Sequence, residues 1–519
     1  MELLQVLLFL LLCAVALGWF ARHFNFPYPI ALVIGGGALG FVPRLPQYPF
    51  DPQLLLVLVL PPILYQAALL TSWRDFRASV RPIGLLAIGL VIVTTLAVGT
   101  AFKLLVPECP WGVAFVLGAI VSPPDAVAAT AILSRLNIPR RVVVVLEGES
   151  LVNDASGLVL YKFAVAAVLT GAFSLVDASV QFMGVAAGGV ALGVVLGRVF
   201  VGIHRRLGDT FIEVLTTLAV PYVAYIGAES VHVSGVLAVV AAGLVRGRYA
   251  PEIVSAEMRI IARSVWNLLV FLLNSLVFML IGIQLSDSLE RLGGYSPMQL
   301  VVYGVAIAIV AILVRFAWVY PAIYLPRMLS PKLRRMEPEP DRGEVFIMGW
   351  CGMRGIVSLV AALALPMALA DGQPFPQRDL IICITYFVIA VTLVVQGLTM
   401  PMLIRKLEVG RDWSLHDEHA QARIALGAAA LVAIDAVAQR EGLPAAPAAR
   451  VRAEFAEKIE RSFADGAVAE AATDPARRLR LAAMQAERQE LIRIWRENLI
   501  SDEILHHIEE DLDYQESHN

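Results

Sequence analysis

Apolar residues along this chain come in long runs, and polar residues gather in the short gaps between them. The runs fall near residues 3–21, 28–43, 52–70, 82–106, 111–135, 141–170, 178–203, 210–228, 231–246, 266–286, 297–326, 344–370 and 378–404. A hydrocarbon layer about 30 Å thick takes about 20 apolar residues of helix, so the pattern predicts an all-α polytopic membrane protein with about 13 transmembrane helices. After Leu407 the pattern changes. Residues 411–519 are rich in Ala, Arg and Glu, with Leu and Ile at helical spacing from Arg478 to Leu512. That predicts a helical cytoplasmic C-terminal domain behind a membrane domain of residues 1–408. Within it His416-Asp417-Glu418-His419 has metal-binding residue types, but a solvated helix start accounts for the cluster more simply.

The gaps alternate in charge. One set carries Arg22, then Arg74, Arg77 and Arg81, then Arg135, Arg140 and Arg141, then Arg205 and Arg206. It continues with Arg246, Arg248, Arg259 and Arg263, and with Arg327, Lys332, Arg334, Arg335 and Arg342. The alternate set has little beyond Arg44, Arg291 and Arg378. The positive-inside rule makes the first set cytoplasmic, with the N-terminus outside and the C-terminus inside, as an odd number of spans requires. Met1-Glu2-Leu3-Leu4 lacks the basic start of a signal peptide, so residues 3–20 read as a retained helix.

Composition agrees: 58% hydrophobic, 16% charged, mean hydropathy +0.72. The net charge of -3 says nothing about partners, and neither nucleic acid nor a small-molecule cofactor is implied; membrane lipid is. Cys13, Cys109, Cys351 and Cys383 show no CxxC spacing, so neither a disulfide framework nor a metal site follows.

Three interruptions inside the runs carry the candidate chemistry. The first is Glu147-Gly148-Glu149-Ser150-Leu151-Val152-Asn153-Asp154. Charges at membrane depth are expensive and face a protein interior or a water-filled cavity. On a helix Glu149 and Asn153 share one face, and Ser150 and Asp154 the adjacent one. Carboxylates, an amide and a hydroxyl are hard oxygen ligands suited to a cation; a purely adhesive contact between helices is the bland alternative. The second is Ser122-Pro123-Pro124-Asp125, where two prolines should break the helix and Asp125 would compensate a new helix N-terminus. The third is Gly349-Trp350-Cys351-Gly352-Met353-Arg354-Gly355, where glycines around a buried arginine predict an unwound segment, the cation neutralising exposed carbonyls.

Arg315, too deep to reach either interface, needs a carboxylate, and Glu149 is the best candidate. Two interrupted spans in corresponding positions of the two halves point to inverted repeats, which in secondary transporters place an ion site near the midplane. Weaker features are Gln66 beyond Pro61-Pro62, which could line a cavity or pack, and Asn274, which could be glue or ion route. Glu229 and His232 read as interfacial. Gly35-Gly36-Gly37 reads as a close helix contact rather than a nucleotide loop, since no strand precedes it. Gly148-Glu149-Ser150-Leu151-Val152 lacks the last glycine of a nucleophile elbow.

Taken in order, these stretches resemble bacterial monovalent cation:proton antiporters of the sodium/proton exchanger family, the branch that includes electroneutral exchangers. The resemblance runs over roughly residues 5–408 and rests on Leu60-Pro61-Pro62-Ile63-Leu64, Ser122 to Val127, Gly148 to Asp154 and Ser234-Gly235-Val236-Leu237-Ala238. Phe271 to Phe278, Gly352-Met353-Arg354-Gly355 and Val395-Gln396-Gly397-Leu398-Thr399 extend it. It implies a 13-span antiporter fold with crossing, discontinuous fifth and twelfth helices, and a homodimer. It also implies that Asp154 is the ion- and proton-binding acid, with Asn153 and Ser150 beside it. Glu149 and Arg315 would form the structural ion pair, and Asp125 and Arg354 the helix-crossover charges, with Asp125 also among the ion- and proton-binding residues. Gln66 stands where many relatives have an acid. Pro124 stands where some have threonine, leaving its carbonyl as the ligand.

The resulting expectation is exchange of Na⁺ for H⁺ across the cell membrane by competition at Asp154, serving pH and sodium homeostasis. Desolvation disfavours the charged carboxylate, so proton and Na⁺ can compete for it, with Ser150 as a second Na⁺ ligand. Asn153 in place of a second acid leaves one charge carried each way, which with the resemblance favours electroneutral exchange. K⁺/H⁺ antiport is the alternative within the class, since one carboxylate with hydroxyl and carbonyl ligands does not fix ion size. Outside it stand an intramembrane aspartyl protease using Asp125 and Asp154, which lack a Gly-x-Gly context, and a passive channel. The tail 411–519 is expected to be regulatory or dimer-supporting.

Overall fold

The structure is a computed structural model, and it describes residues 2–24, 28–40, 52–125, 138–170, 175–253, 256–292, 294–336, 340–369 and 372–407, with a few isolated positions besides. The chain divides into two units, Met1–Arg411 and Asp412–Asn519. The tail expected to be helical, with its His416–His419 cluster, lies outside the described residues apart from isolated positions.

All regular structure in the described part of the first unit is helical. In chain order the helices are α1 (Glu2–His23), α2 (Tyr28–Gly40), α3 (Pro52–Leu70), the short α4 (Trp73–Ala78) and α5 (Val80–Leu105). They continue with α6 (Trp111–Val121), α7 (Arg140–Thr170), α8 (Leu175–His204), α9 (Thr210–Ser230), α10 (Gly235–Ile253) and α11 (Ala256–Arg291). Last come α12 (Pro297–Leu329), α13 (Pro331–Met336), α14 (Arg342–Trp350), α15 (Ile356–Leu363) and α16 (Arg378–Lys406). Among the described residues seven helices are long and apolar enough to cross a membrane, within α5, α7, α8, α9, α11, α12 and α16. Four shorter apolar helices accompany them, within α1, α2, α3 and α6.

The short members have local causes. At 1.5 Å per residue α6 is about 16 Å long, and α14 and α15 about 13 and 12 Å, each well under a bilayer core. Pro123 and Pro124 stop α6. Glycines at 352 and 355 part α14 from α15. Beyond the break the apolar run predicts helix to about residue 370, but α15 ends at Leu363, because Pro366 disfavours helical backbone at Leu365. A two-residue bridge between Ala368 and Pro374 follows.

One irregularity had no sequence signal. Within α5 the turn Leu85–Leu90 is π-helical. Trp318 of α12 packs there, donating Nε1–H to the carbonyl of Leu85 at 2.9 Å, with its ring 2.5 Å from where a Cβ on Gly89 would lie. A π turn loosens the backbone ladder, and the indole takes one of the carbonyls this leaves.

Close backbone approach fixes α6 against α5. A Cβ on Gly118 would fall on the carbonyl of Thr95, so only glycine lets the two backbones meet. Gly118→Ala should destabilise by about 1–3 kcal/mol, since backbone rather than a flexible side chain must move. Gly227→Ala, on α9 with nothing within 4 Å, should leave stability unchanged or slightly raised. Melting of the two purified variants compares them; equal losses would mean that this approach does not constrain the fold.

Candidate functional site

The two interrupted segments meet. After Val121 the chain runs non-helically through Ser122, Pro123, Pro124 and Asp125, and after Trp350 through Cys351 to Gly355. The amide of Asp125 donates to the carbonyl of Met353 at 2.7 Å, joining one break to the other. Arg354 donates Nε–H to the carbonyl of Val121, the last residue of α6, at 3.0 Å, and a second guanidinium N–H to the carbonyl of Gly352. Its own amide is taken by Thr392 Oγ1 on α16 at 3.1 Å. In return the Asp125 carboxylate lies against Gly355, the N-cap of α15, where any Cβ would overlap it. Each segment thus places a charge at the helix end the other exposes: a cation at the carbonyl end of α6, an anion at the amide end of α15. Asp125 was expected to compensate its own break. It faces the other one, and of residues 126–137 only Ala129 and Leu133 are described, both helical.

Helix α7 passes beside this crossing. Arg315 on α12 donates Nη1–H and Nη2–H to the two carboxylate oxygens of Glu149 at 2.5 and 2.8 Å, and Nε–H to the carbonyl of Met348 at 3.1 Å. Both side chains are about 1% exposed, so the pair is desolvated and depends on this bidentate geometry. A Cβ on Gly352 would sit 2.7 Å from the Arg315 side chain, so the unwound glycine also makes room for that arginine. One turn on, Asn153 donates Nδ2–H to the carbonyl of Pro124 at 3.1 Å, tying α7 to the first break. A carbonyl has two lone pairs, so this bond leaves Pro124 able to serve a second partner.

The other face of α7 borders a cavity of about 730 Å³. Ser150 and Asp154 line it from α7, Pro123, Pro124 and Asp125 from the first break, and Gly355 and Ser358 from the second. Gln66 on α3 and Asn267 and Asn274 on α11 line the opposite wall, with Gln66 donating to Asn267 Oδ1 at 3.1 Å. Asp154 is 6% exposed and forms no hydrogen bond or ion pair among the described residues. Arg315 and Arg354, the fully buried arginines, are committed to Glu149 and to carbonyls. The cavity therefore brings together three carboxylates, Asp125, Glu147 and Asp154, with the hydroxyls of Ser150 and Ser358, the oxygen types a small hard cation selects. Among the described residues no His, Cys, Asp and Glu cluster with tight metal-site geometry occurs.

Among the lining residues, sequence reasoning missed Asn267 and Ser358 and gave Glu147 no role of its own. Ser358 is 1% exposed, and its Oγ has no hydrogen-bond partner among the described residues. Its only signal was its place one turn past Gly355. Glu147, a turn before Ser150, faces the same cavity; its signal was the acid count of the stretch itself.

Helices broken at membrane depth around an accessible buried acid define a membrane transporter rather than a hydrolase. A sequence model of the transmembrane sodium/hydrogen exchanger matches residues 7–406. An uncharacterized Na⁺/H⁺ exchanger of Mycobacterium tuberculosis is 33% identical over 98% of this chain and 95% of its own length. The sodium, potassium, lithium and rubidium/H⁺ antiporter of Bacillus pumilus is 35% identical over 77% of this chain and 61% of its own length. The sodium/proton antiporter MjNhaP1 of Methanocaldococcus jannaschii superposes with a TM-score of 0.63 over 78% of this chain and 99% of that one, at 19% identity. The chain belongs to the sodium/hydrogen exchanger family and is a multi-pass membrane cation/proton antiporter with the fold of that archaeal protein. The aspartyl-protease alternative falls with that membership.

Removing one partner of the buried pair leaves an uncompensated charge. Arg315→Met and Glu149→Gln should each destabilise by about 3–5 kcal/mol, and the double variant by clearly less than the sum. Melting of purified protein closes the cycle; additive losses would show that the pair does not act as a unit.

Proposed function

We propose that this antiporter exchanges Na⁺ for H⁺ across the cell membrane by competition at Asp154, one charge each way, in the service of pH and sodium homeostasis. The observation that carries this reading is that Asp154 has no hydrogen-bond or ion-pair partner among the described residues. It is a nearly buried carboxylate on a polar cavity, with both neighbouring arginines occupied elsewhere. An acid without a fixed counter-ion is costly when ionised and empty, so it is stabilised by a proton or by a cation. Ser150 and the Pro124 carbonyl are proposed as further Na⁺ ligands. Asn153 shapes the site by its bond to Pro124, and Asp125 and Arg354 hold the helix crossing. Glu149 and Arg315 are structural.

The full topology is proposed as 13 spans: the seven long helices, the four short ones with α6 completed beyond its break, α10, and α14 with α15 as one discontinuous crossing. The arginine-rich loops are placed in the cytoplasm, with the N-terminus outside and the C-terminus inside, and the working unit is a homodimer in the membrane. In that orientation the cavity faces inward. It reaches from Asp154 past Ser150 to Glu147 and Leu70, toward the helix ends that lead to Arg140 and Arg74. Two turns beyond Asp154 on the other side, Lys162 bonds both oxygens of Glu229 at 3.0 and 3.1 Å. The tail 411–519 is proposed to regulate transport or support the dimer.

K⁺ is the second cation to consider. The relative from Bacillus pumilus is named for sodium, potassium, lithium and rubidium, and one carboxylate with neutral oxygens discriminates weakly by size.

In proteoliposomes, Asp154→Asn should abolish Na⁺-dependent dissipation of a pH gradient, while Ser150→Ala should raise the apparent Na⁺ constant several-fold. Parallel runs with Na⁺, Li⁺ and K⁺ separate the two cation readings. Exchange retained by the asparagine variant would sink the assignment of Asp154. A flux that moves net charge would sink one-for-one exchange.

A further inference from the structure

A second cavity, of about 580 Å³, opens where α3 ends and α10 approaches α4. Arg74 and Arg77 on α4 and Arg248 on α10 line it, with Ser72, Trp73 and Gly247. All three arginines are exposed, and none has a carboxylate partner among the described residues. The acid of α4, Asp75, is already held by Arg140 at 2.6 Å, so it does not neutralise them. What brings Arg248 beside the other two is a close backbone contact: a Cβ on Gly247 would lie 2.5 Å from the carbonyl of Leu69. Three cations drawn into one concavity repel unless an anion is bound there.

The rim is apolar. Leu70, the last residue of α3, is 67% exposed, and Trp73, the first of α4, is 36% exposed. A Trp at the end of a span beside arginines is the arrangement of a membrane interface. A free phosphate would use the arginines and leave the apolar rim idle; a phospholipid uses both.

We propose that this cleft binds the phosphodiester headgroup of an anionic phospholipid, with Arg74, Arg77 and Arg248 on the phosphate and Leu70 and Trp73 against the upper acyl chain. Basic pockets between membrane helices recognise anionic headgroups by the same charge pairing, worth about a factor of five in affinity per arginine. Leu70 also borders the ion cavity, so the bound lipid sits beside that cavity's mouth.

The test uses purified full-length protein in neutral detergent, titrated with short-chain phosphatidylglycerol, short-chain phosphatidylcholine or inorganic phosphate, with bound lipid counted by native mass spectrometry. Phosphatidylglycerol should bind saturably and phosphatidylcholine should not. The R74Q/R77Q/R248Q variant should lose roughly 100-fold in affinity, and Arg77→Gln alone about fivefold. Arg335→Gln, exposed and outside the cleft, should bind as the parent does. Should the triple variant fail to fold, the single variant decides. Unchanged phosphatidylglycerol affinity in the arginine variants overturns the proposal. Displacement of phosphatidylglycerol by inorganic phosphate at equal concentration overturns the choice of a lipid over a free phosphate.

Discussion

Backbone amides and carbonyls at membrane depth have no water to turn to, and each one left unpaired costs several kcal/mol. The organisation around the site follows from that constraint. Two helices are interrupted at membrane depth, and the loose ends are satisfied by the opposing interruption. Met353 receives the amide of Asp125, Arg354 covers the carbonyl of Val121, and the carboxylate of Asp125 lies at Gly355. The neighbours that complete the arrangement, Asn153 on α7 and Thr392 on α16, are thereby fixed relative to it.

The same scarcity of water decides which acid is available. Five ionisable groups, Asp125, Glu149, Asp154, Arg315 and Arg354, lie close together here, and in a low dielectric a fixed arginine binds its carboxylate firmly. Arg315 uses both Nη groups on Glu149 and its Nε on Met348, which exhausts its geometry in that direction. Arg354 is spent on carbonyls. Asp154 therefore faces the cavity without a cationic partner among the described residues. The proposed exchange at Asp154 requires that freedom, whereas a second arginine within reach would occupy the carboxylate permanently.

Much of this was legible in the sequence, and the limits have physical causes. Apolar runs gave helix positions because length and hydropathy are local properties. Tandem prolines gave the first break, and paired glycines around an arginine the second. The partnership of Glu149 with Arg315, 166 positions apart, could be anticipated because a buried arginine requires an acid and few were on offer. Contacts that follow from helix neighbourhood were beyond reach. The facing of Asp125 toward Gly355, the use of Pro124 by Asn153, the π turn stabilised by Trp318 and the inward turn of Ser358 each depend on which helices adjoin. The end of α15 at Leu363 was a different failure: Pro366 was visible, but hydropathy outweighed it in reading the run to residue 370.

The contacts along α7 differ in strength in a way that bears on movement. At its middle lie the buried pair with Arg315 and the bond from Asn153 to Pro124, both sealed from solvent. Toward its ends lie Arg140 with Asp75 and Lys162 with Glu229, where the side chains are between 30% and 54% exposed. Exposed pairs of this kind contribute about 0–1 kcal/mol, against several for breaking the buried one. Water can replace the end contacts at little cost, while nothing can replace the central ones. Through these polar contacts α7 is bound firmly to the crossing and to α12, and loosely to α4 and to the end of α9. Any rearrangement that changes access to Asp154 meets least resistance at those two ends, with the acid and the crossed segments moving as one body.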